Sequence, residues 1–187
     1  LRKHFDEPAT RYEGDALLEL EPALKPGLAG GWHYEGDAHL RSDLLMASWK
    51  KNLEAKGVEI HENCALTGLL ENHDGSVTIS ATSNIFEGSH LVIATGALTP
   101  QLSEELGWRA PIEPGKGYSI TMPRPESCPE IPVIFPETRV AATPFESGYR
   151  LGSTMEFAGY DESLDPERYG LLLKGAENYL LEPHCEP

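Results

Sequence analysis

The stretch of this sequence with the clearest chemical content is one of small side chains. Leu91-Val92-Ile93-Ala94-Thr95-Gly96-Ala97-Leu98-Thr99-Pro100 reads as a buried strand opening onto small residues, which lets the backbone come close to a bulky ligand. The same pattern also serves a plain strand-to-helix turn that needs its glycine. Arg139 and Arg150 carry the planar guanidinium that bidentate carboxylate recognition requires, and surface salt-bridging is the ordinary use of both. His33, His39 and His61 pair with no other His, Cys or carboxylate in a metal-site motif, and no Gly-x-Ser-x-Gly elbow or other nucleophile arrangement is present. No phosphate-cradling loop occurs either: Gly27, Gly30 and Gly31 have the wrong spacing, and Gly115 and Gly117 open a strand rather than a helix.

The elements that must position these residues are legible from periodicity. Gly14–Pro22 reads as a short helix with an acidic start and a proline stop, and Gly31–Tyr34 as a strand before the turn Glu35-Gly36-Asp37. Ser42 or Asp43 caps a helix running to Gly57, whose stripe of Leu44, Leu45, Ser48, Trp49 and Leu53 predicts packing on a sheet. Short strands Val58–His61, Ala65–Glu71, Ser76–Thr82 and Ile85–Glu87 follow, with Asp74-Gly75 as a hairpin turn, so a β-meander is expected. His90–Ala94 is apolar after its first residue, as in a parallel strand covered on both faces, and a site is then expected beyond its carboxyl end. Pro100–Leu106 supplies a short helix stopping at Gly107. The later half is proline-rich, with strands Gly117–Met122, Arg139–Thr143 and Tyr149–Met155 in an antiparallel sheet. Asp165-Pro166 caps a covering helix whose Tyr169, Leu172, Leu173, Ala176, Tyr179 and Leu180 face that sheet.

The chain has 187 residues, enough for one substantial core or two small ones. Its formal charge of −15, with Lys and Arg scattered, excludes nucleic acid as a natural partner, and an acidic surface is also an ordinary route to solubility. No apolar run approaches the length of a membrane span, and no signal segment opens the chain. Cys64, Cys128 and Cys185 are odd in number and outside metal spacing, which suits the cytoplasm. The chain opens on Leu1 rather than Met, and both ends read as cut ends of a longer protein.

Four stretches, taken in order, resemble the family of FAD-dependent amine and amino-acid oxidoreductases that includes D-amino-acid oxidase, glycine oxidase and sarcosine oxidase. Glu19-Leu20-Glu21-Pro22-Ala23-Leu24 looks like its EPAL segment. Lys56-Gly57-Val58-Glu59-Ile60 looks like the approach to the strand beside the adenosine, and Ala94-Thr95-Gly96-Ala97 like the second flavin-contacting turn. Ile112–Thr121 is most similar to the D-amino-acid dehydrogenase branch, as are Glu137-Thr138, Val140–Thr143, Arg150-Leu151-Gly152 and Gly159-Tyr160-Asp161. The likeness runs from Glu19 to Leu181. The family's Gly-x-Gly-x-x-Gly loop is absent from it, and with it the main anchor of the pyrophosphate.

The resemblance implies an α/β (α+β) fold: a partial FAD-binding domain with a β-meander over residues 1–106, then an antiparallel substrate domain with a covering helix over 107–187. It implies that Ala65 lies near the adenine through its backbone and that Ala94, Thr95, Gly96 and Ala97 approach the cofactor. The strand period puts Tyr118, Ile120 and Met122 on one face and Ser119 and Thr121 on the other. Tyr118 is the substrate-pocket candidate, against a structural role on a half-buried strand, and Lys116 a candidate for holding a substrate carboxylate, against a solvent-facing one. Alanines stand where some relatives place a tyrosine on Arg139–Thr143, and no residue here takes the role of the family's carboxylate-binding arginine. The activity implied is oxidation of a D-amino acid to the imino acid, then to a 2-oxo acid and ammonia. Glycine, sarcosine or 2-hydroxy-acid oxidation is the alternative, and a non-catalytic α/β binding module a further one. Electrons would pass to a membrane quinone or to oxygen, in the cytoplasm or as a peripheral protein of the inner membrane.

Overall fold

The computed structural model describes residues 8–184, apart from the side chains of Ser153 and Thr154; Leu1 and Cys185 lie outside the described residues. The fold is mixed α/β with antiparallel sheets. It forms two compact units. One joins the residues up to Arg41, Lys116–Glu156 and those from Asp161 onward; the other joins Ser42–Gly115 with Phe157–Tyr160. These units do not divide between residues 106 and 107, where the sequence suggested a boundary.

The reason is visible in the first unit, where the early chain is sewn into the late one. Strands β1 (Ala9–Tyr12) and β2 (Gly31–Tyr34) pair antiparallel around helix α1 (Asp15–Leu20). The Glu21 carboxylate, only 1% exposed, accepts the backbone N–H groups of Ala23 (3.2 Å), Glu130 (2.8 Å) and Ile131 (3.0 Å). Leu24 bridges to Leu180, and the Leu181 N–H donates to Ala23 O at 2.9 Å. A buried carboxylate is tolerated only when its oxygens are saturated in this way.

The larger sheet of this unit uses β6 (Lys116–Met122), β7 (Val133–Phe135), β8 (Val140–Phe145) and β9 (Gly148–Glu156), in the antiparallel order β6-β9-β8-β7. Opposed residues form rows across it. Ile120, Leu151 and Ala142 lie on one face, with Met122, Tyr149 and Pro144 beside them; Thr121, Arg150 and Thr143 lie on the other. Helix α4, the last α-helix of the described residues (Pro166–Glu177), covers the first face with Leu172, Gly175 and Ala176, and Asp165 caps it by accepting the Glu167 N–H at 2.9 Å. Val140, Ala142, Leu151, Leu172 and Leu180 are fully enclosed, and burying a Val or Leu stabilises by about 1.5–3 kcal/mol.

The second unit holds helix α2 (Ser42–Ala55), strands β3 (Leu66–Glu71), β4 (Val77–Ala81) and β5 (Ile85–Gly88), a 3-10 turn at Gly96–Leu102 and helix α3 (Ser103–Leu106). The strands form the expected antiparallel meander, with Gly75 at φ +81° closing the β3–β4 hairpin. Gly57 ends α2 at φ +84°. Three expectations are corrected. Val58–His61 and His90–Ala94 form no strand, and Val92 is 84% exposed; no described strand offers them a ladder of hydrogen bonds. Helix α2 has its predicted apolar stripe but buries none of it, because no sheet among the described residues lies beneath it.

Two glycines of α4 respond oppositely to the same change. A Cβ at Gly175 would meet Val140 Cγ2 at 2.7 Å, whereas one at Gly170 would meet nothing within 4 Å. Gly170→Ala should raise stability by about 0.5–1 kcal/mol through helix propensity. Gly175→Ala should lower it by about 1–3 kcal/mol through overpacking, as read by urea or thermal unfolding.

Candidate functional site

In the first unit α4 covers one face of the sheet and leaves the other open. The open face begins with the row Ser119, Gly152, Ala141 and Ile134, followed by Thr121, Arg150 and Thr143. Small residues and hydroxyls dominate it, and Ile134 is 72% exposed. An open depression of about 520 Å³ is lined by Tyr118, Ile134, Pro136, Arg139, Val140, Ala141 and Gly152. Arg139 closes the β7–β8 turn at φ +57°, a conformation that disfavours side chains other than glycine. The arrangement offers a small ligand a shallow apolar bed, hydroxyl donors and cationic groups.

Tyr118 stands on the covered face, only 4% exposed. Its Oη donates to Glu156 Oε2 at 2.6 Å and accepts the Asp165 N–H at 3.4 Å, tying β6 to β9 and to the cap of α4. Lys116 is neither in open solvent nor a free cation. Its ammonium donates to Ser163 O at 2.7 Å and lies 3.4 Å from Glu156 Oε2. Arg168 Nε adds a second positive charge 3.7 Å from the same oxygen. The Tyr118 hydroxyl, followed by Lys116 and Arg168, holds the Glu156 carboxyl below its ordinary range against the cost of partial desolvation. Partial desolvation opposes the Lys116 charge, but hydrogen bonds with Tyr118 and Glu156 outweigh it and raise the Lys116 pKa. Glu156 escaped the sequence reading; the signal was the antiparallel pairing itself, which sets it directly opposite Lys116.

In the second unit the Ala94–Ala97 turn is exposed throughout. The Leu98 N–H donates to Thr95 O at 3.0 Å, Thr99 Oγ1 donates to Gly96 O at 2.8 Å, and Tyr160 Oη donates to Ala97 O at 3.0 Å. Gly96 sits at φ +54°, with nothing within 4 Å of where a Cβ would be. These residues fit a broad planar ligand laid against backbone, as a flavin needs. Ala65 is exposed, and its N–H donates to Thr82 Oγ1 at 3.2 Å while its carbonyl accepts the Thr82 N–H at 2.9 Å. Its carbonyl keeps one lone pair for a further donor.

The histidines are not gathered. His33 meets Tyr12 edge-on, His39 meets Phe145 and His61 meets Phe86. Among the described residues no group of three His, Cys, Asp or Glu side chains could hold a metal ion.

The depressed Glu156 pKa gives a signed prediction. Its contribution to stability is complete above the ordinary carboxylate value of 4.5 and is lost as pH falls through the lowered folded value. Glu156→Gln should therefore melt below the unsubstituted chain at pH 7, with the gap closing as pH falls below about 4. Melting curves at several pH values check this, and a pH-independent gap would contradict it.

The family model described as FAD dependent oxidoreductase matches residues 1–185. The chain is 31% identical over 175 residues to the D-amino acid dehydrogenase of Paramagnetospirillum magneticum, covering 90% of this chain and 40% of that protein. It is 29% identical over 174 residues to the bifunctional protein ThiO/ThiG of Trichormus variabilis, covering 91% of this chain and 26% of that one. In fold it matches glycine oxidase from Geobacillus kaustophilus with a TM-score of 0.83 at 21% identity, over 96% of this chain and 48% of the other. The L-alpha-glycerophosphate oxidase of Mycoplasma pneumoniae, solved with FAD bound, matches with a TM-score of 0.77 at 16% identity, over 95% of this chain and 49% of that one. The chain thus spans half or less of each of these relatives. The match across nearly its whole length shows that the chain belongs to the DAO family of FAD-dependent oxidoreductases.

Proposed function

We propose that this chain is the substrate-side portion of an enzyme that oxidises a D-amino acid to its imino acid, which water hydrolyses to a 2-oxo acid and ammonia. One observation carries the reading: in a chain of this family, α4 covers one face of the β6-β9-β8-β7 sheet and leaves the other bare, with small and hydroxyl side chains. Such a face admits a small polar substrate without a steric lid. Its similarity to a protein named D-amino acid dehydrogenase supports the substrate class.

When bound, FAD supplies the acceptor for the substrate hydride. The chain's own residues would orient and shield. Ala141 and Gly152 make room for the substrate carbon, while Ser119, Thr121 and Thr143 present hydroxyls to its polar groups. Tyr118 and Lys116 act as positioning residues, fixing the strand ends through Glu156. Ala94, Thr95, Gly96 and Ala97 present exposed backbone to the cofactor, and Ala65 is assigned to the adenine side. The pyrophosphate anchor is assigned to sequence other than these 187 residues, which hold no Gly-x-Gly-x-x-Gly. Electrons would leave to a membrane quinone or to oxygen. The reading places the protein in the cytoplasm or peripherally at the inner membrane; no described helix is long and apolar enough to cross a membrane. Glycine oxidation is a second reading, supported by the likeness to glycine oxidases and to ThiO/ThiG.

Two measurements test this. The whole protein carrying this chain, offered D-amino acids and N-methyl amino acids with a dye acceptor, should show flavin reduction by at least one of them; reduction by none would sink the reading. The 187-residue chain alone, titrated with FAD, should quench flavin fluorescence weakly or not at all, and micromolar binding would show that the pyrophosphate anchor lies within it.

A further inference from the structure

In a chain with 30 acidic and 15 basic residues, arginines ordinarily find carboxylates, yet three converge on the Phe145 end of the larger sheet. The Arg41 guanidinium lies 5.6 Å from the Phe145 ring centroid and that of Arg150 lies 5.5 Å from it. Arg124 Nη1 donates to the Phe145 carbonyl at 2.8 Å. The Arg41 Nη1 donates to Ser147 Oγ at 2.7 Å, and Arg150 Nε donates to Thr121 Oγ1 at 2.8 Å. His39 also meets Phe145, edge-on at 5.8 Å between centroids.

Charge balance is what makes the cluster unusual. Among the described residues, neither Arg124 nor Arg150 has a carboxylate oxygen within 4.0 Å. Glu146, in the same hairpin turn, pairs with neither. Arg41 makes other contacts as well, so the case rests on the other two. Each is oriented by one bond to a neutral oxygen and keeps further N–H donors for a ligand, and both are exposed. Two guanidinium groups held at one residue, Arg150 beside the Phe145 ring and Arg124 on its carbonyl, with no described carboxylate within 4.0 Å of either, are the arrangement that an oxyanion completes.

We infer that Arg124 and Arg150, with Arg41 and His39 around Phe145, form a binding site for a small multivalent oxyanion, a phosphate or a dicarboxylate. The site is distinct from the Lys116–Tyr118–Glu156 network, whose cations already share a carboxylate. Arg150 and its partner Thr121 share the open face with the proposed substrate residues, but anion binding is read on the chain without the reaction.

Thermal unfolding and NMR titration of the 187-residue chain test it, with inorganic phosphate, malonate and acetate added at constant ionic strength set by sodium chloride. Phosphate or malonate should raise the melting temperature saturably and shift the amides of residues 145–150, and whichever binds tighter identifies the source. Arg150→Gln and Arg124→Gln should each weaken binding at least tenfold while keeping the far-UV spectrum, Arg150→Lys should weaken it less, and Lys51→Gln on α2 should not change it. A response that chloride reproduces at equal ionic strength would overturn the site. So would unchanged binding in Arg124→Gln or Arg150→Gln; should one of these fail to fold, the other decides.

Discussion

The docking of α4 on the inner rows of the β6-β9-β8-β7 sheet is the interaction on which the first unit depends. A four-stranded antiparallel sheet must bury one face to be stable, and here Leu172 and Ala176 close over Val140, Ala142 and Leu151. Close approach is possible because position 175 is glycine, leaving no Cβ to collide with Val140. Covering one face commits the other to solvent or to a ligand, so the open rows through Gly152 and Arg150 follow from where the helix sits. The Glu156 network then fixes the helix start, because the same Tyr118 hydroxyl that meets Glu156 also accepts the Asp165 N–H.

Within this frame the division of chemical labour is clear. Among the described residues no group of three His, Cys, Asp or Glu side chains could hold a metal ion, and the family's redox chemistry belongs to its cofactor. The protein contributes surfaces: an exposed small-residue turn at Ala94–Ala97 in one unit, and an open sheet face in the other. The Phe145 cluster adds localised positive charge to a chain whose net charge is −15. Long-range attraction for an anion would otherwise be poor.

Much of this architecture was legible in the sequence. The caps at Asp165 and Gly57, the Asp74-Gly75 hairpin and the alternation of Tyr118, Ile120 and Met122 are local signals, and local chemistry sets them. Strand β7 was missed because three residues are too few for periodicity to speak and prolines flank it, and β1 because Ala9-Thr10-Arg11-Tyr12 shows no alternation of apolar and polar side chains. The apolar patterns of α2 and of Leu91–Ala94 raised an expectation of burial that the described residues do not meet. A pattern says what a segment wants against it, and not whether that partner is among the same residues. The units differ from the expected domains for a related reason. Glu21 reaches backbone donors at Glu130 and Ile131, more than a hundred residues away, and no local signal announces such a contact.

The claim that the bare face of the sheet is the substrate side is tested most directly by adding bulk to each face in turn. Ala141 lies on the open face and Ala142, fully buried, on the covered one. In the whole flavoprotein carrying this chain, Ala141→Phe should leave the melting temperature and bound flavin nearly unchanged while slowing anaerobic flavin reduction at least tenfold. Ala142→Phe should instead lower the melting temperature. Reduction at the unsubstituted rate by a stable, flavin-loaded Ala141→Phe enzyme would contradict the account.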